Sequence, residues 1–217
     1  MSILNRATFS GYWKVEGNVK PTNGRHLRGA KKLNIDNFFS EEKIDFSNNI
    51  KLNFKDLPSK PYLKNLTKYC ESMDYVYTKY GLRIKSSSYL KLATIWTSKI
   101  LLFKRVSDLS LVKDIVWRDC VFNRGFGEIL NGGLEKKMVI KKYHSIPGNP
   151  YGGLLEAKFP KIKLKAGALR LPVEIIKEFE EKYIECLKEV DRVFNIYDEE
   201  LVLSFMNEKH SELFSIK

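Results

Sequence analysis

The sequence predicts an α+β fold in one compact domain: a helical middle segment, an N-terminal β element, and a C-terminal basic β-hairpin covered by a long amphipathic helix. Three observations carry this expectation. Residues 7–19 contain Phe9, Tyr12, Trp13 and Val15, broken by Gly11 and Gly17, the composition of a strand with a turn. Between Pro58 and Phe122 apolar side chains recur every three or four residues, the period of a helix with a buried stripe. In Lys161-Ile162-Lys163-Leu164-Lys165 the period drops to two, and from Ile176 through Phe179, Tyr183, Leu187, Val190 and Phe194 it returns to three and four.

The elements follow in chain order. After the first strand, Arg25, His26, Arg28, Lys31 and Lys32 crowd around Gly29 and read as a basic loop. Residues 33–54 alternate loosely between apolar and polar and predict short strands or irregular structure. A helix is predicted from Pro58, with Ser59 as its cap, to Gly81, and its buried stripe includes Leu63, Leu66, Met73 and Val76. A second helix runs from Ser86–Ser88 to Lys104 with bulky residues on nearly every side, so it belongs in the core. A third is expected over Ser107–Phe122. Asn123–Gly133, with four glycines, reads as a loop. Strands are predicted for Met138–Ile146 and for the segment ending near Lys165. The long helix opens at Pro172, and a short element over Leu201–Met206 and a tail over Leu213–Ile216 close the chain. The whole is taken as one domain, 1–217, with a mainly helical 1–130 and a hairpin-plus-helix 131–217 as the alternative division.

Composition bounds the function. A chain of 217 residues can build a core without disulfides or metals, and 43% hydrophobic content excludes a disordered protein. No apolar run reaches the roughly 20 residues that span a bilayer, and the N-terminus lacks the apolar stretch of a signal peptide. An intracellular protein, free or incorporated in a particle, is therefore expected. Cys70, Cys120 and Cys186 are odd in number and far apart, which fits reduced thiols. No CxxC or HxxxH pair is present, so neither a metal nor a cofactor is expected.

Charge supplies the functional expectation. Residues 1–171 carry 32 Lys and Arg against 14 Asp and Glu, whereas residues 172–217 carry 6 against 12. Lysine outnumbers arginine 29 to 9, which suits contact with a polyanionic backbone better than bidentate reading of bases. Arg25, Arg28, Lys31, Lys32, Lys136, Lys137, Lys141, Lys142, Lys161, Lys163 and Lys165, with Tyr151 to stack a base, form the predicted nucleic-acid-binding set. The bland alternative is that strand-edge lysines only prevent sheet-to-sheet association. The leading expectation is a non-enzymatic basic protein that binds RNA or DNA within a nucleoprotein assembly. Two alternatives stand beside it: a structural protein of a virus or phage particle that joins copies through opposite charges, and a metal-dependent nuclease using Asp114 or Asp119 with Glu135 and Lys137. No catalytic motif is visible, so an enzyme is not favoured.

Overall fold

A computed structural model describes residues 6–15, 23–77, 83–120, 129, 136–142, 164–193 and 199–217. The fold is mixed α/β, built on a mostly parallel seven-stranded sheet. Its strands are β1 (Arg6–Tyr12), β2 (Asn37–Ser40), β3 (Asn49–Lys51), β6 (Asp114–Arg118), β7 (Met138–Lys142), β8 (Leu164–Pro172) and β9 (Phe214–Ile216). They lie in the order β3-β2-β1-β6-β8-β7-β9. All pairings are parallel except those of β8, which runs against both β6 and β7. The other strands therefore share a direction, and their carboxyl ends define one rim of the sheet. A separate antiparallel ribbon pairs β4 (Tyr75–Tyr77) with β5 (Arg83–Lys85).

Parallel neighbours need crossover connections, and helices supply them except between β2 and β3, which residues 41–48 join without one. α1 (Asn23–Lys32) joins β1 to β2 on one face; α2 (Lys64–Glu71) and α3 (Ser86–Leu109) precede β6 on the other. There they pack with α4 (Ile176–Val193) and α5 (Glu199–Lys209). The main core lies between the sheet and α3, α4 and α5, where Phe9, Trp117, Ile140 and Leu169 meet Phe103, Phe179, Tyr183 and Val202. Phe9 anchors it with edge-on contacts to Phe39, Phe103 and Trp117. The opposite face carries Ala30, Phe38 and Cys120 at one side and Ile129, Val139 and Ala168 at the other.

α3 fulfils its sequence prediction and extends past it to Leu109. Hydroxyls buried against its middle are bonded: Ser59 Oγ lies 2.7 Å from Ser98 Oγ and donates to the Thr94 carbonyl at 2.9 Å, while the Tyr183 hydroxyl donates to the Thr97 carbonyl at 3.1 Å. Ser59 was expected to cap a helix running to Gly81. It is instead committed to α3, and the predicted helix divides into a 3-10 turn (Lys60–Tyr62), α2 and β4. In β4 the period is two, so Val76 is buried while Tyr75 and Tyr77 face outward. Met73, predicted on the buried stripe, is 46% exposed.

Three further expectations are corrected. The Arg25–Lys32 loop is helical, with Lys31 and Lys32 in the last turn, where cations suit the helix dipole. The helix predicted over Ser107–Phe122 is replaced by β6: Ile115, Val116 and Trp117 are all buried because an internal strand covered on both faces reads as a continuous apolar run. The two strands of the expected basic hairpin pair antiparallel as β7 and β8, within the seven-stranded sheet where β8 sits between β6 and β7; residues 143–163, with Tyr151, Lys161 and Lys163, lie outside the described residues. The C-terminal helix begins at Ile176 after a 3-10 turn, Pro172 being the last residue of β8, and the final segments form α5 and β9.

Candidate functional site at the carboxyl rim

β1 is followed in sequence by α1 and β2 on one side, while β6, its other neighbour, is reached by the later crossover. The strand order thus reverses between β1 and β6. In an open α/β sheet the connections on the two sides of such a reversal diverge and leave a crevice outside the carboxyl ends.

Several side chains gather there. β1 ends in Gly11-Tyr12 and continues into Trp13 and Lys14; β2 ends in Ser40 and continues into Glu41 and Glu42; β6 ends in Arg118 and continues into Asp119 and Cys120. Tyr12, Lys14, Ser40, Glu41, Glu42 and Ile44 line a shallow, solvent-open depression with enclosed room for about one water. Trp13 is buried beneath it, its indole N–H donating to the Leu52 carbonyl at 3.0 Å. Gly11 permits this: a Cβ there would lie 2.6 Å from the Trp13 ring.

The two glutamates differ in role. Glu41 accepts from Lys91 of α3 at 2.8 Å and from the Phe54 backbone N–H at 3.2 Å, which ties the end of β2 to the core. Glu42 is exposed at the pocket's edge. Burial, and then the charge of Glu42, hold the Tyr12 phenol above its ordinary pKa, so it is protonated at neutral pH. Ser40 Oγ donates to the Glu42 carbonyl and accepts from the Asn49 side-chain amide at 2.7 Å, which sets the course of the chain leaving β2.

Cys120 is not a nucleophile here. Burial pushes its thiol up to about 11, and the S–H donates to Ser10 Oγ at 3.0 Å. Its carbonyl supports α1: a Cβ on Gly29 would sit 2.1 Å from the Cys120 oxygen. Gly29→Ala is accordingly expected to lower stability by about 1–3 kcal/mol by forcing α1 off the end of β6. A lowered urea midpoint with an unchanged m-value would show it.

The predicted nucleic-acid set is dispersed. Arg28, Lys31 and Lys32 are exposed on α1, and Arg25 belongs to the same helix. Lys136 and Lys137 precede β7 at the amino edge of the sheet, whereas Lys141 and Lys142 end it at the carboxyl rim with Lys165. Asp114 starts β6 and Asp119 follows it, so the two aspartates occupy opposite edges; Asp114 is paired with Arg6 at 4.0 Å. Glu135 lies outside the described residues. Among the described residues no group of three or more His, Cys, Asp or Glu could hold a metal ion, and no helix is long and apolar enough to cross a membrane. Sequence reasoning missed Tyr12, Lys14 and Glu42, because the cue is strand order rather than residue type.

No family model matches the chain, and no curated protein sequence matches it. Among solved structures it is similar to mouse Xyloside xylosyltransferase 1 in its apo form, at 12% identity over 97% of this chain and 84% of that one, with a TM-score of 0.46. It is also similar to a glycosyltransferase involved in the glycosylation of the major capsid of PBCV-1, at 7% identity over 98% of this chain and 82% of that one, with a TM-score of 0.42. Both are enzymes. On that comparison the expectation of a non-enzymatic nucleic-acid-binding assembly protein, with its structural-protein alternative, is not retained; the nuclease alternative falls because Asp114 and Asp119 stand at opposite edges of the sheet.

Proposed function

We propose that this protein is an enzyme that binds a nucleotide at the carboxyl rim and transfers the group it carries. The reversal of strand order between β1 and β6 is the observation that carries the reading, since ligands of open α/β sheets bind outside the carboxyl ends at that point. The depression is far smaller than a whole small-molecule site and encloses little more than a water. A ligand would lie over it and continue along the rim. Tyr12 offers a flat, half-buried ring, and Lys14 an exposed ammonium for a phosphate. Glu42 follows the second strand, where an acidic residue accepts hydrogen bonds from ribose hydroxyls in dinucleotide-binding sheets.

The reaction to assay first is glycosyl transfer, the activity for which the two solved structures are named. In it an acceptor hydroxyl gives up its proton, its oxygen bonds to the sugar carbon, and the bond from that carbon to the nucleotide's phosphate oxygen breaks with the electron pair leaving on the phosphate. Calorimetric titration with the common nucleoside diphosphates is expected to show binding by one of them. Glu42→Gln should weaken it about ten-fold or more, the effect of losing a charge-assisted hydrogen bond, and should leave the 2′,3′-dideoxy analogue unaffected. Binding of none of these nucleotides, or equal binding by the variant, would overturn the reading.

A further inference from the structure

The pairing of β7 with β8 breaks at the rim. Trp117, Leu169 and Ile140 share one rung across β6, β8 and β7. On the next rung toward the rim, Arg118 faces Ala168, while Lys141 faces not Ala168 but Lys165. Residues 166–168 are therefore bulged out of the β7 pairing and lean toward β6, where the Gly167 carbonyl accepts from the Asp119 N–H at 2.8 Å. α5 supports the displaced strand from the core side. The Leu164 N–H donates to Ser204 Oγ at 3.0 Å, and the Ala166 N–H to the Glu200 carboxylate at 3.1 Å.

The bulge sets the cations. Trp117, Ile140, Leu164 and Leu169 point into the main core, so alternation turns Arg118, Lys141 and Lys165 to the other face, the face of Tyr12 and Cys120. The bulge removes β7 as a ladder partner for residues 166–168 and brings Lys141 directly opposite Lys165. Bulges recur beside active sites because they re-aim side chains, and here the result is a cationic row on three adjacent strands, about 10 Å across at roughly 4.8 Å per strand.

We infer that Arg118, Lys165 and Lys141 form an oxyanion site for a phosphate group on the substrate side of the rim. The inference rests on the nucleotide reading for what the site serves. Its two sources are the phosphates of the nucleotide itself and a phosphate on the second substrate; the row lies one to three strands from β1, which carries Tyr12, within reach of either.

The test compares wild type with Lys141→Gln/Lys165→Gln, using Lys136→Gln/Lys137→Gln at the opposite edge as the control for general basicity. Three probes are titrated at constant ionic strength: inorganic phosphate, the best-binding nucleoside diphosphate, and its nucleoside. If the nucleotide supplies the anion, the advantage of diphosphate over nucleoside falls about ten-fold in the rim variant alone. If the second substrate supplies it, diphosphate affinity is unchanged, and the thermal stabilisation by inorganic phosphate is lost in the rim variant alone. Lys141→Arg/Lys165→Arg restores either effect, which separates charge from packing. Equal responses of rim and control variants to phosphate and diphosphate overturn the site. Failure of the nucleoside to bind wild type counts against the nucleotide reading, while the phosphate arm still decides the rim.

Discussion

Lys99→Ala is expected to lower folding stability by about 3–5 kcal/mol, because it leaves the Glu199 carboxylate buried without its counter-ion. Lys99 projects from α3 and donates to Glu199 at the start of α5 at 2.5 Å, with side-chain exposures of 11% and 6%. Its ammonium lies 5.2 Å from the centre of the Trp117 ring. Burial alone would lower its pKa, but Glu199, then Asp119 and Glu200, outweigh it, and the net shift is upward. A lysine with a raised native pKa contributes stability that is fully present below its unfolded pKa and is lost as the pH rises through the native one. The pair's contribution is therefore lost in strong alkali, and it makes folding alkali-sensitive. Exchanging both groups for apolar ones of similar size, Lys99→Met with Glu199→Leu, is expected to recover most of the loss at neutral pH. Urea midpoints of the single and double variants would check this, and the double variant should show the smaller decline at strongly alkaline pH.

Asp191→Ala is expected to lose about 2–3 kcal/mol through an element to which Asp191 does not belong. The carboxylate of Asp191, buried on α4, accepts from the Asn65 N–H at 2.8 Å and the Leu66 N–H at 3.0 Å. These are first-turn donors of α2, which has no side-chain cap at Leu63 and no acidic residue in its first turn. Asp191 caps α2 from a distance. Without it the buried Leu66 donor is left unsatisfied, and the docking of α2 on α4 loosens. Hydrogen exchange should show α2 opening by local unfolding well before α4, whereas equal acceleration in both helices would contradict the assignment.

Neither effect was legible in the sequence, since both partners are joined across long stretches of chain. What was legible followed local periodicity: α3, whose apolar residues surround it, and α4, with its regular stripe. The misreadings arose where sheet context overrides local pattern. Residues 114–118 resemble the end of a helix by composition and become a strand because two neighbours pair with them. Gly29 argues against a helix until the carbonyl of Cys120 is placed beside it. The rim was the least legible part. Tyr12, Lys14 and Glu42 become a group only when β1 and β2 are laid side by side, and Lys165 meets Lys141 only through a three-residue bulge. The charge excess was real, but its residues are divided between two edges of the sheet and a helix.

The buried hydroxyls of α3 have a mechanical consequence. Ser59 engages the Thr94 carbonyl and Ser98 Oγ, groups one turn apart on the helix, and Thr97 Oγ1 donates to it at 2.8 Å. An apolar cylinder of this length could slide along its axis by one turn, about 5.4 Å, and still find greasy neighbours. With Ser59 in place such a slip would break every one of these bonds in a site closed to water. The small polar cluster acts as a detent that indexes α3, and by indexing α3 it also sets the height at which Lys99 meets α5 and at which Lys91 reaches Glu41 beneath the rim.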